Sequence, residues 1–173
     1  MKDAVVLCAG SGTKIWPYAQ IRNKVMFPVS NKPIVAYSVD ALTSMGFDNI
    51  ILVAGPFADE IRAYFRDYSN VTVIVENAPK GTAFSLLAAG DYVKGESFLA
   101  LYGDTIVSAD DLKKLVAAFE KSGESQALVS PIAERSSDYI GCNIEDGCVK
   151  EIWGHSRSES THFFGGFALP SAF

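Results

Sequence analysis

The chain has 173 residues, of which 49% are hydrophobic and 20% charged, enough for a single folded domain with one sizeable core and unlike a disordered segment. A formal net charge of −5 excludes a general nucleic-acid or anionic-membrane binder, which needs clustered Lys and Arg. The N-terminus enters a strand without a basic-plus-apolar leader, and no apolar run approaches the roughly 18 residues of a membrane span, so a cytoplasmic protein is expected. In chain order, Asp3 to Gly10 (DAVVLCAG) reads as a buried strand that opens into the glycine-rich segment Gly10-Ser11-Gly12-Thr13-Lys14. Glycines there let backbone N–H groups approach an anion with no Cβ in the way, and Lys14 adds charge. A bare G-x-G serves equally as a tight turn. A third glycine at the dinucleotide-fingerprint spacing is missing because position 15 is Ile, and the Walker spacing is absent too.

Lys32 to Met45 reads as a helix with Pro33 at its first position, an apolar stripe of Ile34, Tyr37, Ala41, Leu42 and Met45, and Gly46 as its stop. Asn49 to Ala54 is a second strand, Ala58 to Tyr68 a second helix with Ile61, Tyr64, Phe65 and Tyr68 at helical spacing, and Val71 to Glu76 a third strand. A third helix over Thr82 to Val93, a strand over Phe98 to Tyr102 and a helix from Ala109 to Lys121 follow. Alternation of this kind means βαβ units and a parallel sheet covered on both faces, with ligands at the carboxyl ends of its strands. The Gly10 loop, Glu76 and Asp104 all fall at such ends and can share one crevice. From Ala127 the strands shorten, at 127–132, 140–144, 149–153 and 163–169, with Asp146-Gly147 as a two-residue hairpin signal. The sheet is therefore mixed there, and 156–161 is a polar loop. Cys8, Cys142 and Cys148 lie in apparent strands away from any C-x-x-C spacing and read as reduced thiols, a disulfide between Cys142 and Cys148 across the hairpin being the alternative.

The order of short motifs adds a resemblance. Gly10-Ser11-Gly12-Thr13-Lys14 with Pro17, Lys24 ahead of Phe27-Pro28-Val29, Lys32-Pro33, Gly81-Thr82-Ala83 and Gly103-Asp104 together resemble the sugar-1-phosphate nucleotidylyltransferases. That resemblance implies an α/β fold, a Rossmann-like doubly wound mixed, mostly parallel sheet of the nucleotide-diphospho-sugar transferase type. It further implies an enzyme that joins a nucleoside triphosphate to a sugar 1-phosphate, releasing pyrophosphate, with Mg²⁺ or another divalent cation. By the same resemblance Ala9, Gly10, Ser11, Gly12, Thr13 and Lys14 would cradle the triphosphate, Lys24 would contact phosphate near the reacting centre, and Asp104 would bind the metal. Lys14, Lys24 and Asp104 are the implied catalytic set. Gly81 and Thr82 would approach the base, and Glu76 stands where many members carry Gln and guanylyltransferases often carry Glu. A solvated acid closing a strand is the plainer alternative for Glu76.

The sequence departs from the family pattern in three places. Asn23 stands where Pro precedes the signature Lys, Trp153-Gly154-His155-Ser156 replaces the expected E-K-P, and position 173 falls before the region of a second metal-binding Asp, so a C-terminally truncated domain of impaired turnover is an expectation. A cytidylyltransferase acting on phosphocholine or another phosphorylated alcohol, and a non-catalytic nucleotide-sugar-binding homologue, are the rival readings. Neither a nucleic-acid nor a membrane partner is expected, and a homo-oligomer is compatible with everything above.

Overall fold

A computed structural model describes residues 1–10, 12–77, 81–131, 140–153 and 160–170. Strand β1 (Asp3–Cys8) is buried except at partly exposed Leu7, as the apolar run from Ala4 to Cys8 requires. It is followed by three short 3₁₀ turns, Thr13–Ile15, Tyr18–Gln20 and Lys24–Met26. A two-residue pair, β2 (Pro28–Val29) with β3 (Lys32–Pro33), forms a small antiparallel hairpin ahead of helix α1 (Ile34–Ser44). The expectation of Pro33 as the first helical residue is therefore corrected: its ψ of 141° is extended and it caps the helix from outside. The expected α1 stripe holds at Leu42, which is buried, and at Ala41 and Met45, which pack part-buried on the core, but Ile34 and Tyr37 are only partly covered. Val35, Ala36, Ser38, Val39 and Leu42 face the core, because Ser38 can bury its hydroxyl by donating to the Thr105 carbonyl at 3.2 Å.

Strand β4 (Asn49–Ala54) is fully buried, α2 (Ala58–Phe65) ends three residues before the expected Tyr68, and β5 (Val71–Val75) is an edge strand buried only at Ile74. Helix α3 (Thr82–Ala89) passes into a 3₁₀ turn at Gly90–Tyr92 instead of running on to Val93. Strand β6 (Ser97–Tyr102) precedes α4 (Ala109–Ser122), whose Ser108 side chain accepts from the Asp111 amide and whose chain leaves through left-handed Gly123. The remaining strands are β7 (Gln126–Pro131), β8 (Gly141–Glu145), β9 (Cys148–Trp153) and β10 (His162–Pro170).

In space the sheet runs β5-β4-β1-β6-β10-β8-β9, with β7 also on β10. The first four strands are mutually parallel, while β10 runs antiparallel to β6, β7 and β8. Gly166 to Ala168 pair with both β6 and β7, so these lie on opposite edges of β10, and β8 takes over the β6 edge at His162 and Phe163. Strand side chains divide between two cores. Ala4, Val6, Ile50, Leu52, Leu99 and Leu101 pack against α1, α2 and α4, whereas Val5, Ile51, Val53, Phe98 and Ala100 pack on the other face with Ala89 and Leu86 of α3. Burying each such large aliphatic chain contributes about 1.5–3 kcal/mol, and fixes the register through the period of two.

The hairpin at Asp146 and Gly147 has both residues left-handed, at φ of 51° and 74°, as a type I′ turn demands. Its register sets Cys142 opposite Ile152 and Cys148 opposite Glu145, so the two cysteines are not cross-strand partners; all three thiols are free.

Candidate active site

The chain winds from β1 outward to β4 and β5, then returns to the other side of β1 for β6. A reversal of this kind leaves a crevice beyond the carboxyl ends of the two strands that flank it. A cavity of about 330 Å³ lies there. Leu7 of β1 and Tyr102 of β6, register partners across the switch point, form its floor, with Ala9 and Gly10 just beyond β1. Lys24 and Val25 of the third 3₁₀ turn, the α3 residues Thr82 and Ser85 with the preceding Gly81, and Asp104 complete the wall.

Close backbone approach places these groups. A Cβ on Gly103 would sit 2.7 Å from Cys8 Sγ and 3.0 Å from the Leu7 carbonyl, so only glycine lets the end of β6 lie tight on β1 and deliver Asp104 to the cavity. Gly55 does the same for the loop after β4, where a Cβ would meet the Ala9 carbonyl at 3.0 Å. Gly81 has φ of 119° and ψ of 173°, a backbone reserved for glycine, and it turns the chain directly into α3. The first amides of that helix have no intrahelical acceptors and carry the positive end of its dipole toward the cavity. Gly10, by contrast, is outside the left-handed region and has open space where a Cβ would be.

Lys24 Nζ forms an ion pair with Asp104 Oδ2, and both side chains remain about one-third exposed, at 34% and 36%. Ser85, buried inside α3, donates its hydroxyl to the Glu76 carboxylate, while the Glu76 amide donates to the Ala54 carbonyl at 2.8 Å. Burial pushes the Tyr102 phenol up, its hydrogen bond with Thr82 works the other way, and the charge of Asp104 pushes it up again. Burial, reinforced by Asp104, also holds the Cys8 thiol far above the usual thiol range, so it is a packed, unreactive group.

Of the residues singled out by sequence, Ala9, Gly10, Lys24, Gly81, Thr82 and Asp104 meet in this cavity, and Glu76 joins it through Ser85. Gly12, Thr13 and Lys14 are not part of its wall; left-handed Gly12 leads instead into the 3₁₀ turn at Thr13. Ser11, His155 and most of the predicted polar loop at 156–161 lie outside the described residues. Ser85, Tyr102 and Gly55 were not singled out. A Ser one turn after Gly81-Thr82 is the only local hint of the first; Tyr102 closes a predicted strand and Gly55 follows another, but nothing in the sequence shows that both lie against the end of β1. Among the described residues no group of three or more His, Cys, Asp or Glu could hold a metal ion, and no helix is long and apolar enough to cross a membrane.

Residues 3–142 match the family model described as nucleotidyl transferase. The chain belongs to the nucleotidyl transferase family. A relative in Methanococcus vannielii, the bifunctional protein GlmU, is 38% identical over 113 residues, 65% of this chain and 27% of its own length. The GlmU of Thermodesulfovibrio yellowstonii is 32% identical over 146 residues, 84% of this chain and 31% of its own. This nucleotidyl transferase chain thus spans about a quarter to a third of the length of those relatives. Among solved structures, HddC from Yersinia pseudotuberculosis complexed with GMP-PN superposes with a TM-score of 0.77 at 26% identity, covering 99% of this chain and 77% of that one.

Proposed function

We propose that this chain forms the nucleotide-binding part of a nucleotidylyltransferase that joins a nucleoside triphosphate to a sugar 1-phosphate. A phosphate oxygen of the sugar phosphate bonds to the α-phosphorus, the bond from that phosphorus to the bridging oxygen breaks, and pyrophosphate leaves with the electron pair. Such a displacement needs positioning and charge compensation instead of a protein nucleophile. The observation that carries this reading is the meeting, in one crevice at the switch point, of open backbone at Gly10, the α3 amino end at Gly81, the Lys24 ammonium and the Asp104 carboxylate. Their roles follow from their chemistry. The Gly10 backbone would bind phosphate oxygens, Gly81 and Thr82 would lie against the base, Lys24 would balance charge as it moves onto the leaving group, and hydrophobic Leu7 and Val25 would exclude water.

Asp104 fits a divalent cation: it is a hard oxygen donor in the cavity wall and partly exposed. Magnesium is commonly held by one or two carboxylates plus substrate phosphates, so a single Asp suffices in the absence of a protein cage. When bound, the ion would neutralise charge on the phosphates.

Guanine is the base this site would read. Glu76 accepts the Ser85 hydroxyl's hydrogen bond on one oxygen and offers further acceptor sites, and the N1–H and exocyclic amine of guanine offer two adjacent donors. The solved relative complexed with GMP-PN supports that assignment. Pyrophosphate release across a panel of triphosphates and sugar 1-phosphates tests the whole reading. Release that depends on one sugar phosphate supports it; binding of no triphosphate at all overturns it.

A further inference from the structure

The Lys24–Met26 turn is a single 3₁₀ turn, too short to persist unaided, and yet it carries a lysine of the cavity wall, the only one among the described residues. What holds it is the preceding residue. Asn23 is 4% exposed, and its carboxamide Nδ2 donates to the Cys8 carbonyl at 3.0 Å and to the Pro56 carbonyl at 3.4 Å, while its Oδ1 accepts from the Val25 amide at 3.1 Å. Cys8 ends β1 immediately before Ala9 and Gly10, and Pro56 follows Gly55, which abuts Ala9. One side chain therefore ties the lysine-bearing turn to both backbone segments that shape the floor of the cavity. Only a carboxamide of this reach supplies two N–H donors and an acceptor at once; a carboxylate would set its charge against two carbonyl oxygens.

We infer that Asn23 is a positioning residue for Lys24: it fixes the height of the ammonium over Gly10, so that lysine and loop amides reach the same phosphate. The inference rests on the phosphate-binding reading above. Removing the tethers should leave a lysine that is still present but no longer registered, and a charged hydrogen bond that must first be ordered loses much of its contribution. The backbone of Asn23, at φ −65° and ψ 136°, is also one that proline adopts without strain, so a proline here keeps the entry into the turn while deleting the amide.

The test is calorimetric titration of wild type, Asn23→Ala and Asn23→Pro with GTP, UTP, CTP and dTTP, and with the nucleoside of whichever binds most tightly, each variant's melting temperature being recorded alongside. Asn23→Ala should lose about tenfold in triphosphate affinity with the nucleoside little affected, and Asn23→Pro should fall between it and wild type. Should Asn23→Ala fail to fold, Asn23→Ser, which keeps an acceptor for the Val25 amide, carries the same comparison. A triphosphate-to-nucleoside affinity ratio equal to that of wild type, even with a lowered melting temperature, overturns the inference and leaves Asn23 a structural residue. Wild type that binds none of the four triphosphates overturns instead the reading on which it rests.

Discussion

Lys24 and Asp104 satisfy each other across the cavity mouth, the ammonium of one on the carboxylate of the other, from elements about eighty residues apart in the chain. An incoming phosphate and a divalent cation would each compete for one half of that pair. Lys24→Met should therefore bind Mn²⁺ or Mg²⁺ more tightly than wild type when no nucleotide is present, roughly fivefold for a part-exposed pair. It should also bind triphosphate more weakly while its affinity for the nucleoside holds. Titration of the nucleotide-free proteins with Mn²⁺ checks this, and equal metal affinity in the two would show that the pair does not occupy a metal site.

Gly10 offers a cleaner probe of the loop than Gly12. A side chain at Gly12 meets both a φ of 64° and the Ala19 Cβ at 3.0 Å, whereas Gly10 has neither obstacle. Gly10→Asp should fold with a melting temperature near that of wild type and lose triphosphate binding, because it sets a carboxylate where phosphate must approach. Retained binding would remove the loop from the site.

The same Ala substitution should behave oppositely at two glycines. Gly103→Ala must push Cys8 Sγ and the Leu7 carbonyl aside and is expected to cost about 1–3 kcal/mol, several degrees in melting temperature, with Gly10→Ala near neutral. Thermal unfolding of both variants decides; equal melting points would mean that the β1–β6 contact yields at no cost.

Base choice should respond to the Glu76 and Ser85 pair. Exchange of the carboxylate for an amide in Glu76→Gln removes one acceptor and adds a donor, so binding should shift away from GTP toward UTP or dTTP. Ser85→Ala leaves Glu76 unheld and should weaken GTP by less. Competition between GTP and UTP measures both, and an unchanged preference in Glu76→Gln would place the base elsewhere.

Alkaline pH should expose Cys8. Its thiol is held above the ordinary value of 9.0 in the folded chain, so the protonated form carries the native state. The associated stability is complete below pH 9, and declines as pH rises beyond it, because the unfolded chain then ionises a thiol that the folded chain cannot. A thiol reagent at pH 8 should modify exposed Cys148 rapidly and Cys8 only at the rate of unfolding. Rapid modification of Cys8 in the folded protein would contradict its burial.

By itself the sequence determined what local chemistry controls. The alternation of apolar runs and helical stripes yields the parallel β1, β4, β5 and β6 units, and Asp146-Gly147 yields a type I′ hairpin because φ above zero is a property of the residues that adopt it. It also named six of the residues that meet in the cavity, since motif order along the chain maps onto successive strand ends. Tertiary structure decided the rest. Which stripe of α1 is buried depends on a carbonyl at Thr105 that can receive the Ser38 hydroxyl, and Pro33 caps instead of opening the helix because β3 pairs with β2 just before it. Asn23, a mere departure from a pattern in sequence, became a three-way tether only when β4 brought Pro56 beside Cys8. Gly10 and Gly103 look alike in sequence, and only the pairing of β6 on β1 leaves open space beside one and no room for a methyl group at the other. Dihedral preferences act over a few residues, but the distance between two backbones is set by the sheet pairing that joins them.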